Sequence, residues 1–322
     1  MKVEQLRTVA TDHRVLPTTF MIVSQVSFPL VLEANKRFTG KFIDSSLMIL
    51  GVETFKAAVC GIALIVKRCK YDVFDQQYAF DKQLCLKLSI PALIYYGNNN
   101  LSFVIMRLIS SAEYLVLQQL KILTTALCVY VSLGKPLSIQ QWIALSLLTC
   151  ACAGSQITES GFSFSKDWKD GVFKNCSGAL LTVLQTLLSA FASVYTEKLL
   201  KGHKQHILLQ NIQLYSWGVL CGVARLMFLH VDLQAFMQAV TVYHVAAFSL
   251  LSSTGIAVSF VMKYADNIVK VLGSAISMFL ATGASALLFG TPPSSQFIAC
   301  LLAAACAIAM YNIPLSQMWN RK

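Results

Sequence analysis

Charge is what this sequence has little of, and acid least of all. Of its 322 residues only 13% are Asp, Glu, Lys or Arg, about half the share usual in a soluble domain. The 15 acids face 26 Lys and Arg, for a net charge of +11. With 56% hydrophobic residues and a mean hydropathy of +0.62, a water-soluble globule is excluded, because too few polar groups exist to cover it. None of the ten cysteines forms a CxxC pair, and several, such as Cys128, Cys150, Cys152, Cys221, Cys300 and Cys306, lie inside apolar runs. Neither a disulfide framework nor a metal site is therefore read. P-loop, HExxH, GxSxG and paired-carboxylate motifs are missing as well, which leaves an enzyme without a reactive centre and gives no reason to expect a cofactor.

What is there is a series of long apolar runs. A hydrocarbon core about 30 Å thick needs about 20 apolar residues per helix, and on that measure the spacing predicts an all-α integral membrane protein with ten transmembrane helices. They run over 17–35, 45–67, 84–106, 112–133, 137–157, 173–197, 208–230, 240–262, 266–289 and 294–315. The first is short and carries Glu33, and the third and fourth are separated only around Arg107, so nine is the alternative count. The tail 1–16 lacks an apolar stretch before the first span, so it does not read as a cleaved signal. A second tail follows at 316–322.

A charge of +11 would suit nucleic acid, but the position of the bases points to membrane topology. Lys2, Arg7, Arg14, Lys67, Arg68, Lys70, Lys82, Lys87, Lys135, Lys198, Lys201, Lys204, Lys263, Arg321 and Lys322 all fall on the side shared by the termini. The other side holds only Lys36, Arg37, Lys41, Arg107, Lys166, Lys169 and Lys174. This asymmetry puts both termini in the cytosol. The partner expected from it is the lipid bilayer, and no nucleic acid. An NCS acceptor at Asn175 falls on the opposite side but abuts the sixth span.

Four bases remain inside spans: Lys56, Lys121, Arg225 and Lys270. A charge at the bilayer centre costs about 2.5 to 3.5 kcal/mol on insertion scales, so retained ones mark function. The connection 158–172 divides the chain into 17–157 and 173–315, five spans each. An odd number per half reverses the second half, the plan of two inverted repeats with substrate near the midplane. Lys121 lies in the fourth span of the first half and Lys270 in the fourth of the second.

The third span contains YYGNNNLSF, 95–103, whose amides need partners from helices, water or a ligand. In the fourth, Tyr114, Gln118 and Lys121 are spaced i, i+4, i+7 and share one face. The second span carries Glu53, which Lys56 reaches at i+3, and the seventh carries LQNIQLYSW with Asn211 and Tyr215. Glu53 is the one mid-span acid in this reading, so Lys121 and Lys270 await an anion, and a phosphate or diphosphate fits. Asp266 and Asn267 read as a helix N-cap with free backbone N–H groups beside Lys270. The 203–206 stretch, HKQH, reads as a solvated loop. Carriers of other phosphorylated sugars or small metabolites share this architecture and remain the alternative.

The pieces VETFK (52–56), NNNLSF, AEYLVLQQLKILTTAL, LSIQQW, SVYTEKLLK, LQNIQLY and STGIAVSFVMKYADNIVK resemble the nucleotide-sugar transporters of the drug/metabolite transporter superfamily. The branch is that of UDP-galactose, UDP-N-acetylglucosamine and CMP-sialic acid carriers; the last three pieces resemble plant-type CMP-sialic acid transporter-like proteins in particular. The resemblance implies a multi-pass Golgi membrane antiporter, with the endoplasmic reticulum as the alternative. It implies exchange of a UDP-sugar or CMP-sialic acid for UMP or CMP by alternating access, and a homodimer as one oligomeric form. By position it assigns Lys121 and Lys270 to the phosphate. It assigns Tyr114, Asn99, Asn100, Asn211, Tyr215 and Ser259 to the nucleotide and sugar, and places Lys56 and Glu53 near the same cavity. The face argument adds Gln118 to the ligand-facing set. Departures from the family pattern are Ser110 where an acid is common, Glu113, Leu115 after the tyrosine, and Thr254 beside Gly255.

Overall fold

The computed structural model describes residues 2–40, 45–71, 76–159, 168–228, 233–290 and 293–313. The tail at 316–322, most of the 158–172 connection and the side chain of Asn175 lie outside them. Among the described residues the fold is helical, with no strand. The α-helices are α1 Lys2–Phe38, α2 Ser45–Tyr71, α3 Lys82–Ile105, α4 Ser111–Gln118, α5 Lys121–Leu133 and α6 Ile139–Glu159. They continue with α7 Trp168–Gly202, α8 Ile207–Phe228, α9 Leu233–Ala239, α10 Val242–Tyr264, α11 Asn267–Phe289 and α12 Ser295–Asn312. A 3₁₀ turn at Gln76–Tyr78 precedes α3.

Among the described residues, eight segments are long and apolar enough to cross a membrane: Arg14–Phe38, Leu47–Cys69, Glu113–Leu133, Cys176–Gly202, Ile207–Phe228, Val242–Tyr264, Asn267–Phe289 and Ser295–Asn312. The chain is a multi-pass membrane protein. Helices α3, of 24 residues, and α6, of 21, have comparable length but are not among the eight. Burial runs opposite to that of a soluble protein. Phe228, Leu287, Val242, Met227 and Ile139 are at least 80% exposed, whereas Thr182, Thr186, Glu197, Gln210, Asn211 and Ser252 are fully buried. Apolar side chains turned outward suit a lipid solvent, and polar ones turned inward find partners there.

The described residues form two compact units, Met1–Tyr96 with Thr196–Ser285, and Gly97–Tyr195 with Ala286–Lys322. In the first, α1 packs on α10 and α2 on α8, with α2 also touching α10. In the second, α6 packs on α12, α4 and α5. Close packing of α2 on α8 depends on Gly218 and Gly222. A Cβ on Gly222 would stand 2.9 Å from Leu50 Cδ1 and force that side chain to shift, the kind of close approach that small residues at membrane helix interfaces allow.

One expected span is not a continuous α-helix. Between α4 and α5, Gln119 N–H donates to Val116 O and Leu120 N–H to Leu117 O, both at 3.1 Å, and Ile122 N–H donates to Gln119 O at 3.1 Å. These i to i−3 bonds wind a 3₁₀ turn just before Lys121. Such a turn advances about 120° per residue instead of about 100°, so Lys121 is rotated by roughly 60° from the position that straight i, i+4, i+7 spacing assigns it. The start of α4 explains two departures from the family pattern. Ser110 caps the helix by accepting from Glu113 N–H at 3.2 Å, and its own N–H donates to Glu113 Oε2 at 2.8 Å. This capping box stabilises the helix start by about 1 kcal/mol.

Candidate functional site

In the first unit the site is built on α2, α8 and α10. Glu53 and Lys56 lie one turn apart on α2, and Lys56 Nζ donates to Glu53 Oε1 at 2.6 Å. Lys56 is 8% exposed, and its ammonium stands 4.3 Å from the centre of the Tyr215 ring. The pair occupies space left by glycines: a Cβ on Gly218 would meet Glu53 Oε2 at 2.9 Å, and one on Gly255 would meet Lys56 Cδ at 2.8 Å. Tyr215, buried on α8, shares a 3.0 Å hydrogen bond with Ser259 Oγ and donates to Gly255 O at 3.2 Å. Thus five residues singled out in the sequence, Glu53, Lys56, Asn211, Tyr215 and Ser259, occupy one packed region.

Asn211, one turn before Tyr215, is fully buried, and neither its amide oxygen nor its amide nitrogen has a partner of normal geometry among the described residues. The thiol of Cys60 lies close enough to interact, but a thiol is a weak partner. A buried amide left so costs about 1 to 3 kcal/mol. Such a group calls for a partner, whether water, an ion or a ligand.

Lys270 sits half-buried in the first turn of α11. The N-terminus of that helix is not open to an anion, which corrects the expectation of free N–H groups. Glu197 Oε2 accepts from Asn267 N–H at 3.0 Å and from its side-chain amide at 2.8 Å, and Asp266 Oδ1 accepts from Val269 N–H at 2.9 Å. Glu197 is itself fully buried and accepts from Lys201 Nζ at 2.6 Å. Glu53, itself half-buried, is therefore not the one acid within a span: α7 continues to Gly202 and carries Glu197 fully buried.

In the second unit, Tyr114 and Gln118 of α4 meet α3 and α7. Tyr114 OH donates to Ser102 Oγ at 3.0 Å, and Gln118 Nε2 donates to Gln185 Oε1 at 2.6 Å. Gln185 Nε2 donates to Asn98 O at 2.8 Å and to Ser102 Oγ at 2.7 Å. Of the three consecutive asparagines it is Asn98 that is buried, whereas Asn99 is exposed and Asn100 half-buried. Lys121 opens α5 half-buried, and its ammonium has no hydrogen-bond or ion-pair partner among the described residues.

Outside these clusters, His206 precedes α8, with its ring stacked on Tyr78 at 5.2 Å and its Nε2 2.9 Å from Lys67 Nζ. Burial, and then the positive charges of Lys67 and Lys263, push its pKa down to about 4. HKQH is therefore a packed corner, not a solvated loop: Gln205 is buried and donates to Ala79 O at 2.8 Å. An open cleft of about 510 Å³, lined by residues including Asp81, Lys82, His203 and Lys204, lies at this corner, and none of the residues expected to bind phosphate, nucleotide or sugar lines it.

A membrane protein that buries bases and amides among apolar helices has counterparts of known kind. The family model described as "Nucleotide-sugar transporter" matches residues 11–312. The chain belongs to the nucleotide-sugar transporter family. It is 32% identical over 271 residues to CMP-sialic acid transporter 1 of Arabidopsis thaliana, covering 81% of this chain and 78% of that one. It is 31% identical over 304 residues to the UDP-galactose translocator of Mus musculus, covering 91% and 77%. A solved crystal structure superposes with a TM-score of 0.67 over 93% of this chain and 96% of that one, at 13% identity, which shows the fold alone. The family is one of carriers, not enzymes.

In this nucleotide-sugar transporter, Gln185 and Glu197 are polar residues that the sequence does not single out, and Asn98 is one of three asparagines that it does not separate. Gln185 stood in LLTVLQTLLSAF, where one amide among leucines is a detectable signal, since a buried polar group needs a partner. Glu197 was hidden by treating Lys198 as the end of its span.

Proposed function

We propose that this nucleotide-sugar transporter is a Golgi antiporter with cytosolic termini. It carries UDP-galactose, UDP-N-acetylglucosamine or CMP-sialic acid in exchange for UMP or CMP by alternating access. In this reading the chain crosses the membrane ten times, as two inverted five-helix repeats over 17–157 and 173–315, with α3 and α6 as the two more polar spans. The observation that carries it is Lys121, an ammonium in an apolar helix with no anion among the described residues to neutralise it. A phosphate would supply that anion, and Lys270 and Lys56 are proposed with Lys121 as phosphate-binding residues. Tyr114, Gln118, Asn99, Asn100, Asn211, Tyr215, Ser259 and Glu53 are proposed to hold the nucleotide and sugar. The buried, partnerless amide of Asn211 supports a polar ligand in this set.

Thermal unfolding of the purified protein with UMP, CMP, GMP and AMP tests the nucleotide. A ligand that binds only the native state at 100 times its Kd stabilises by about 2.7 kcal/mol, so UMP or CMP is expected to raise Tm while the purines do not. Equal shifts by all four, or none, overturn the pyrimidine reading. Proteoliposomes test exchange: uptake of labelled nucleotide sugar is expected to require trapped UMP or CMP, and equal uptake into empty vesicles overturns antiport.

A further inference from the structure

We infer that Gln185 is a positioning residue that turns the α3–α4–α7 cluster into a hydrogen-bond acceptor site, selective for a substrate group that donates. This rests on the proposed nucleotide-sugar transport and adds what the pocket can distinguish.

The direction of every bond in the cluster follows from groups whose roles are fixed. A backbone carbonyl only accepts, so Gln185, 2.8 Å from Asn98 O, must present its amide nitrogen there. Its second N–H goes to Ser102 Oγ at 2.7 Å. Its oxygen is then left facing Gln118, which must donate its nitrogen across the 2.6 Å contact. That fixes the otherwise ambiguous amide of Gln118 and turns its oxygen away from Gln185.

Ser102 has one proton and gives it to Asn98 O at 3.1 Å. Its lone pairs take the N–H of Gln185 and the O–H of Tyr114 at 3.0 Å. The Tyr114 proton is thereby committed, and only lone pairs of its oxygen remain for anything else. Asn98 gives its amide nitrogen to Gln185 O at 3.3 Å, again a carbonyl, so its oxygen is the atom left over. That oxygen is buried without a partner, on a residue only 7% exposed. The spare capacity is therefore acceptor-rich: the lone pairs of Asn98 Oδ1, Gln118 Oε1 and the Tyr114 oxygen, beside one spare N–H each on Asn98 and Gln118.

Acceptors select donors. A hydroxyl or an amine satisfies them, while a carbonyl or an ether in its place leaves them desolvated and unpaired. On a pyrimidine nucleotide sugar such donors come from the base edge (the exocyclic amine of cytosine or the N3–H of uracil), the ribose hydroxyls and the sugar hydroxyls.

The test measures Kd of the purified full chain for CMP, UMP, 2′-deoxy-CMP, 2′-deoxy-UMP and UDP-galactose, in wild type and in Gln185→Leu. CMP against UMP reads the base edge and each nucleotide against its deoxy form reads the ribose, while UDP-galactose, which adds a phosphate as well as a sugar, reports binding of a complete nucleotide sugar and enters no ratio. At least one donor-bearing ligand is expected to bind about tenfold more tightly than its counterpart in wild type, a ratio that Gln185→Leu brings close to one while binding itself survives. Ser102→Ala, which frees the Tyr114 proton, is expected to lower the same ratio and carries the test if Gln185→Leu does not fold. A ratio that persists in the variants, or no discrimination by wild type in any pair, overturns the inference with nucleotide binding intact. Absence of binding to all five overturns the nucleotide reading itself, and this inference with it.

Discussion

Lys56 holds two partners at once: its Nζ lies 2.6 Å from Glu53 Oε1 and 4.3 Å above the Tyr215 ring. The carboxylate and the π face both attract the ammonium, which is how such a group is accommodated in a membrane helix. Because Tyr215 also hydrogen-bonds Ser259 and Gly255, its two contributions can be separated. Tyr215→Phe keeps the ring under the ammonium and is expected to cost about 1 kcal/mol for the lost hydrogen bonds. Tyr215→Leu removes the ring as well and is expected to cost a further 0.5 to 2 kcal/mol, roughly, for the lost cation–π contact. Thermal unfolding of the two variants checks the order; equal losses would show that the ring contributes nothing to holding Lys56.

Glu197 couples α7 to the start of α11, and its loss removes an acceptor from three donors, Asn267 N–H, the Asn267 amide and Lys201 Nζ, the last of which keeps its bond to Ala265 O. Glu197→Ala is expected to lower stability by about 3 to 5 kcal/mol, the range for breaking a buried charged network. Glu197→Gln keeps an acceptor and is expected to lose less. Because Asn267 is the shared partner, Glu197→Ala and Asn267→Ala are expected to be non-additive in a double-mutant cycle. Additive losses would remove the coupling.

His206 gives a stability change with a defined pH window. Its folded pKa is about 4, against about 6.5 for the unfolded chain. Between those values the unfolded chain binds a proton that the folded protein refuses, so stability falls as pH drops from 6.5 toward 4 and is unaffected by this residue above 6.5. The ring is partly exposed, so screening reduces the effect to about 1 to 2 kcal/mol. His206→Gln is expected to flatten this part of the Tm-against-pH profile. An unchanged slope in the variant would assign the acid sensitivity to other groups.

Much of this was legible in the sequence because membrane helices announce themselves by length. The expected spans at 266–289 and 112–133 differ from α11 and the α4–α5 segment by one residue at a boundary. The 3₁₀ turn at Gln119–Leu120 was not legible, since neither glycine nor proline marks it and its bonds differ from α-helical ones by a single residue of register. Lys56, Glu53, Tyr215 and Ser259 could be singled out because polar groups are rare in such helices. Which atoms they engage depends on helix packing, and so on Gly218 and Gly255, whose role appears only when α2 lies against α8 and α10. Asn98 could not be told from Asn99 or Asn100 by composition, because burial of one of three identical neighbours is set by helix rotation.

The sharpest separation of function from stability is expected at Lys121. A half-buried ammonium with no partner among the described residues is a cost to the folded protein, and replacing it by an apolar side chain of similar length removes that cost. Lys121→Met is therefore expected to leave Tm unchanged or raise it by a few degrees, while transport of nucleotide sugar in proteoliposomes falls to background. Lys270→Ala is expected to abolish transport too, and native-like chromatographic behaviour of both variants would locate the loss in ligand binding. Sites that carry function are commonly sites where stability has been given up, so the two readouts should move in opposite directions at Lys121. If Lys121→Met transported like wild type, the phosphate assignment would be wrong. If it instead unfolded several degrees lower, the lysine would be structural, held by a partner that only the membrane-embedded protein provides.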